Sequence, residues 1–197
     1  MALDVSAALR ALSADPLLCT LVAAATRRGV APLYLVGGYL RDHLLGRGPR
    51  ERDLDLVCPG DRRALVAECL VALGGTLVPL DPTTVRIVFT RGTHSWQVDV
   101  AALRGEGIEA DLIQRDFTVN ALALDLTGDR AGKLIDVTGG VADLEARRIR
   151  VPSPAVLRED PLRCLRAVRM AAQLGFRVEP ATAAAIRAAA GGVAAVS

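Results

Sequence analysis

The sequence is poor in aromatic residues, histidine and cysteine, and it has no long apolar run. Phe, Trp and Tyr make up 3% of 197 residues, and His43 and His94 are the two histidines. Four cysteines, Cys19, Cys58, Cys69 and Cys164, show no CxxC spacing. These shortages argue against a zinc site and against a disulfide framework, and the expectation is buried free thiols in a reducing compartment. No apolar stretch reaches the roughly 18 residues of a membrane span. PLLCTLVAAAT (16–26) looks like the apolar part of a signal peptide, but Asp4 and Asp15 outweigh the single Arg10 before it, so the expected location is cytoplasmic. An excess of one charge is missing too. With 24 basic against 22 acidic residues the net charge is +2, and the field of the whole molecule does little to capture a polyanion. Any nucleic-acid contact has to come from local patches.

What is present is aliphatic: 51% of the residues are hydrophobic, with an Ala, Leu, Val and Arg load that suits a helix-rich α+β protein. The length allows one sizeable core, or a domain with a smaller attached piece. Residues 4–28 read as one or two helices closed by Gly29. LYLV (33–36) is a short strand running into Gly37-Gly38, and YLRDHLL (39–45) has helical spacing, stopped by Gly46, Gly48 and Pro49. DLDLV (53–57) alternates as a strand does, DRRALVAECLVAL (61–73) is an amphipathic helix, and TLVPL, VRIVFT and WQVDVAAL are three strands in succession. RDFTVNALALDL reads as a helix or a helix–strand passage, and LIDVTGGVADL (134–144) as a glycine-punctuated joint. Two helices follow, the first beginning near Glu159-Asp160-Pro161, the second PATAAAIRAAA. The closing GGVAAVS has no satisfactory structural ending, and the expectation is that a longer protein continues from it.

Chemistry concentrates in LVGGYLRDHLLGRGPRERDLDLV (35–57). Gly-Gly after a strand lets successive N–H groups turn toward one point ahead of a helix, and Arg41, one turn along, adds a fork of donors for an anion. That signal alone matches neither of the common phosphate-loop patterns. Asp53 and Asp55 sharpen it. Positions i and i+2 of a strand share a face, about 6.6 Å apart along the chain, while Leu54 and Leu56 take the other face. Paired carboxylates repel unless a cation neutralises them, and Mg²⁺ prefers oxygen ligands completed by substrate phosphates. A solvated strand face is the bland alternative. In WQVDVAAL the same alternation puts Asp99 with Gln97, opposite Val98 and Val100. If the two strands are neighbours, three carboxylates converge, the ligand set for two metals roughly 3.5 to 4 Å apart that clamp an in-line phosphoryl displacement.

The order GG, Arg41-Asp42, then DxD on the next strand resembles the head of class II tRNA nucleotidyltransferases and bacterial poly(A) polymerases, within the DNA polymerase β-like superfamily. Three later blocks follow in that family's order: QRDFTVNALALD (114–125), IDVTGGVADL (135–144) and REDPLRCLRAVRMAAQLGF (158–176). The similarity covers about residues 33–190. It implies an α+β fold: a polymerase β-like nucleotidyltransferase head (31–144) with a small, largely antiparallel sheet and flanking helices, preceded by an N-terminal helical segment (1–30) and followed by an all-α neck (145–197). It implies that Gly37, Gly38 and Arg41 contact a triphosphate, that Asp53 and Asp55, with Asp99 where an acidic residue often stands, hold two Mg²⁺ ions, and that Arg115 meets the bound nucleotide. Asp160 and Arg163 match the pair that reads the incoming base, and Arg166 and Arg169 match arginines near the nucleotide.

The base-reading role has a physical rationale of its own. Cytosine and adenine present an amino donor beside a ring-nitrogen acceptor, and uracil and guanine present the reverse. A carboxylate beside a guanidinium therefore accepts C and A and rejects U and G. Asp160 and Arg163 are read as neighbours three apart on one helix, and the stripe Arg163, Arg166, Arg169 as a basic face beside core residues Leu162, Leu165 and Val168.

Two departures from the family pattern stand out. Gln114 precedes Arg115 where two arginines are usual, and only nine residues, GEGIEADLI, separate Arg104 from Gln114. A connection this short is similar to that of enzymes that add CC and leave the terminal A to a partner. The implied reaction is attack of a tRNA 3′-hydroxyl on the α-phosphate of CTP or ATP. The rivals are a poly(A) polymerase, whose basic phenylalanine-containing block after DxD is not matched by GGTLVPLDPTTVRIVF, and a non-catalytic nucleotide sensor, which has no need of a second metal ligand.

Overall fold

A computed structural model describes residues 2–48 and 52–195 of the protein. The chain opens with two helices, α1 (Val5–Ser13) and α2 (Pro16–Arg27), each started by an aspartate: Asp4 accepts the N–H of Ala7, and Asp15 those of Leu17 and Leu18. The apolar run weighed against a signal peptide is α2, whose Leu17, Leu18, Leu21, Ala24 and Ala25 are buried in the core. α1 and α2 are bent by 64° at the break between them, and among the described residues no single helix is long and apolar enough to cross a membrane.

Strand β1 (Tyr34–Val36) leads straight into α3 (Gly37–Leu44), so the paired glycines form the first turn of that helix and do not precede it. Pro49, expected to help end α3, lies outside the described residues. β2 (Asp53–Cys58), α4 (Arg63–Leu73), β3 (Thr76–Asp81), β4 (Thr84–Arg91) and β5 (His94–Ala102) follow where the alternation predicts them. After α5 (Ile108–Ile113) and a 3₁₀ turn at Thr118–Asn120 come β6 (Ala123–Asp125) and β7 (Leu134–Ile135). The seven strands lie in the order β3-β4-β5-β2-β1-β6-β7, antiparallel except for the parallel pair β2–β5.

Period-two alternation gives this sheet two different faces. Leu35, Leu54, Leu56, Ile87, Val98 and Val100 enter the main core with the N-terminal helices. Tyr34, Val36, Val57 and Ala123 form a second cluster with Ile108 and Leu112 of α5. Helices therefore flank both faces. The segment read as a bare nine-residue connection carries that second cover, because Ile108 and Leu112 lie four apart on one side of a helix.

The glycine-rich joint is held by one side chain. Asp136 accepts the N–H groups of Thr138, Gly139, Gly140 and Val141 at 2.8–3.2 Å and so caps α6 (Gly140–Glu145). Asp143, fully buried, takes Arg148, Arg150 and the Thr118 hydroxyl. Beyond it are helices α7 (Ala155–Glu159), α8 (Leu162–Leu174) and α9 (Pro180–Ala189), and a short parallel ladder between β8 (Arg148–Ile149) and β9 (Arg177–Val178) stitches the ends of this segment together.

Three expectations need correction. Asp160 is extended (φ −140°, ψ 94°) between α7 and α8, so it does not share a helix with Arg163. Leu162, Leu165 and Val168 are 41%, 57% and 62% exposed, and the buried face of α8 is Cys164, Ala167, Met170 and Leu174. Cys19 is exposed, unlike the three buried cysteines.

Candidate active site

Leu54 and Leu56 of β2 are wholly buried, which turns Asp53 and Asp55 to the opposite face. The parallel register then sets Asp55 directly opposite Asp99 of β5, and Asp53 opposite Gln97. Val98 and Val100 anchor β5 in the core, so Asp99 has no other way to point. One carboxylate oxygen from each of Asp53, Asp55 and Asp99 lies within 4.8 Å of the others. On the far side of β2, Val36 pairs with Asp55, and the next residue is Gly37. A Cβ built on Gly37 would collide with the Asp55 carboxylate, and Gly37 has φ +76°, a region that L side chains avoid. Glycine turn and acidic cluster are thus in direct contact.

The N-cap of α3 is Val36, which offers no side-chain acceptor. Arg41 folds back over this turn, with Nη2 3.4 Å from where a Cβ of Gly38 would sit. It is held by hydrogen bonds of 2.8 Å from Nε to Asp42 Oδ1 and from Nη1 to Asn120 Oδ1. Burial pushes the Asp55 carboxyl up to about 7, the repulsion of Asp53 and Asp99 adds to this, and Arg115 and Arg86 pull the other way. An all-oxygen donor set of this kind fits a hard divalent cation.

The cluster forms one wall of a cleft of about 370 Å³. Gly37, Gly38, Arg41 and Arg115 line it from the head, and Arg163, Arg166 and Arg169 from α8. Asp160 is not among the lining residues. Its Oδ1 accepts the Leu162 N–H at 3.0 Å, and its Oδ2 lies 3.6 Å from Arg163 Nε, a spacing too long for a hydrogen bond. Arg163 donates instead to the Val156 carbonyl at 3.1 Å.

Sequence reading missed the residues that hold these groups in place. Buried Asp111 of α5 takes Arg115 through Nε and Nη2, both at 2.8 Å, so the short connection is the bracket of that arginine. Asp116 sits between Asn120, which donates to it at 3.2 Å, and Arg166, 3.0 Å away as a close ion pair. Arg86 of β4, directly opposite Asp99, binds it at 2.7 Å through both Nε and Nη2. The alternation that found Asp53 and Asp55 also points to Arg86, which stands between Val85 and Ile87. Asp111, four residues before Arg115, fits the helical pairing rule once α5 is known to be a helix.

Known proteins resemble this chain in sequence and shape. The model of the poly A polymerase head domain matches residues 33–150. A CC-adding tRNA nucleotidyltransferase of Halalkalibacterium halodurans is 43% identical over 157 residues, 78% of this chain and 38% of its own. An A-adding tRNA nucleotidyltransferase of Deinococcus radiodurans is 41% identical over 161 residues, 78% of this chain and 33% of its own. The structure of the Thermotoga maritima CCA-adding enzyme complexed with tRNA superposes with a TM-score of 0.79 at 34% identity, covering 96% of this chain and 46% of that one. The chain spans less than half the length of each of these relatives. A match over most of the head, carried by the strands and glycine turn that build the cleft, means that the chain belongs to the poly(A) polymerase head-domain family of nucleotidyltransferases.

Proposed function

We propose that this chain is the nucleotide-binding and catalytic portion of a template-independent tRNA nucleotidyltransferase that adds C, as CC, to the tRNA 3′ end from CTP. The observation that carries the reading is the contact between the three-carboxylate row and the open glycine turn, which sets a cation site beside an anion site. Asp53, Asp55 and Asp99 would hold two Mg²⁺ ions, which when bound offset charge on the reacting phosphate and on the attacking and leaving oxygens. Gly37, Gly38 and Arg41 grip the triphosphate, and Arg115, fixed by Asp111, orients the nucleotide. The 3′-hydroxyl of the RNA attacks the α-phosphorus and pyrophosphate leaves, with no covalent intermediate on the protein. Catalysis then rests on positioning and electrostatics. Asp160 and Arg163 read the base; their loose 3.6 Å spacing leaves the carboxylate and guanidinium unsaturated toward a partner that offers a donor beside an acceptor. Arg166 and Arg169 add positive charge along the same wall.

The nine-residue connection between Arg104 and Gln114 supports CC addition. The similarity to A-adding relatives supports a second reading, in which ATP is the substrate. The full-length protein, given labelled CTP or ATP and a tRNA ending at the discriminator base, should extend it by CC from CTP and lose all activity in EDTA. Extension by A alone, on a tRNA already ending in CC, would overturn the choice of nucleotide. No incorporation from either nucleotide would overturn the enzymatic reading.

A further inference from the structure

Arg86 stands apart from the other arginines of the cleft. Arg41 pairs with Asp42, Arg115 with Asp111 and Arg166 with Asp116, each a carboxylate outside the cluster. Arg86 pairs with the cluster itself. It occupies both oxygens of Asp99 at 2.7 Å, and its Nη2 lies 3.8 Å from Asp53 Oδ2. Its position is dictated by the sheet: Ile87 is buried in the core, which sends Arg86 to the face of Asp99, and the antiparallel register sets the two opposite each other. A planar fork bonded to both carboxylate oxygens is the strong form of this interaction. A divalent cation ligated by Asp99 would sit beside that guanidinium, like charge against like charge. The Arg86 side chain is 28% exposed, so it can turn into solvent without unpacking the core.

We propose that Arg86 is the resident counter-cation of the carboxylate cluster, exchanged when metal enters, and that it sets the metal affinity of the site while holding the metal-free head together. This rests on the metal-binding reading of Asp53, Asp55 and Asp99. It runs opposite to the simpler view of Arg86 as a fixed support for Asp99. A support strengthens metal binding, whereas an exchanged cation competes with it.

Manganese(II) titrated into the full chain, followed by electron paramagnetic resonance and by calorimetry, separates the two, because neither readout depends on turnover. Asp53→Asn serves as the control for the site. The expected result is Mn²⁺ binding to the wild type that Asp53→Asn removes, with Arg86→Met binding about tenfold more tightly or better. In EDTA, Arg86→Met should melt at a lower temperature than wild type, and saturating Mn²⁺ should close most of that gap. Arg86→Lys keeps a charge but loses the fork, and should fall between the two in affinity, which preserves the test if the methionine variant fails to fold. Weaker or unchanged Mn²⁺ binding in both Arg86 variants, with the Asp53 control intact, would overturn the exchange and leave the metal reading standing. Mn²⁺ binding that ignores Asp53→Asn would remove the metal reading and this inference with it.

Discussion

The two walls of the cleft are built on different principles. On the head, the carboxylates are set by hydrogen-bonded strands, and their spacing is fixed by the Asp55–Asp99 register and by leucines and valines locked in the core. On α8, the arginines stand on long side chains at the helix surface: Arg163, mostly covered, donates to the Val156 carbonyl and lies 3.6 Å from Asp160, and Arg166, half-exposed, pairs with Asp116 at 3.0 Å. One wall is rigid and crowds its carboxylates together; the other stands on side chains that can turn. Chemistry at a phosphorus atom tolerates little displacement, so it belongs on strands. Accepting more than one base calls for groups that can turn, and a helix surface supplies them.

Substitutions can test this contrast, beginning with the largest expected effect. Asp53→Ala in the full-length protein should lower incorporation by about a thousandfold or more while the melting temperature stays near that of wild type. Normal turnover would break the assignment of chemistry to the strand wall. Gly37→Ala forces a side chain into a left-handed position and against Asp55; a hundredfold activity loss, on the order expected for a 1 Å misplacement, should accompany a stability loss of about 1–3 kcal/mol in urea unfolding. Gly38→Ala, which meets Arg41 at an ordinary contact distance of 3.4 Å, should cost far less. Beside the adaptable wall, Asp160→Ala should leave CTP turnover within reach of wild type but reduce discrimination against UTP by about tenfold to a hundredfold, read as a ratio of kcat/KM values. Unchanged selectivity would mean that α8 is a basic surface and no reader.

The smallest effect sharpens the electrostatic half of the contrast. Asp55 is raised from 3.8 to about 7 in the folded metal-free protein. Between those values the folded state holds more protons than the unfolded one, so stability falls as pH rises through that window and levels off above it. Asp55→Asn removes the penalty. In EDTA, the variant should match wild type near pH 4 and exceed it by about 1–2 kcal/mol at pH 8, allowing for solvent screening of a partly exposed group. A gap that is flat with pH would show that the row carries no strain.

The same difference explains what could be read from the sequence. Asp53, Asp55 and Asp99 were legible because strand alternation is a two-valued rule: once Leu54 and Val98 are in the core, their neighbours are out. Gly37 was legible for its backbone freedom, though its contact with Asp55 depends on strand pairing that no local pattern encodes. The helical wall was harder. Size alone marks Leu162, Leu165 and Val168 as core, whereas the buried face uses Cys164 and Ala167, small residues that let α8 pack closely and leave little mark in a hydrophobic pattern. Helix α7, five residues long, is too short to show a period; the sequence places a helix start near Glu159-Asp160-Pro161 but not the separate turn that leaves Asp160 outside α8. Asp111, Asp116 and Asn120 act through partners brought near by α5 and the turn after it, and charged residues in a connecting segment look alike until the segment folds.

Two of the chain's paired-glycine turns, Gly37-Gly38 and Gly139-Gly140, are treated in opposite ways. In the second, Asp136 has settled its own carboxylate into the fan of N–H groups, so that turn is closed to visitors. The first begins a helix whose N-cap, Val36, contributes no side-chain hydrogen bond. Of these two cradles, one is filled from within by the fold itself, and the other stands directly against the Asp55 carboxylate.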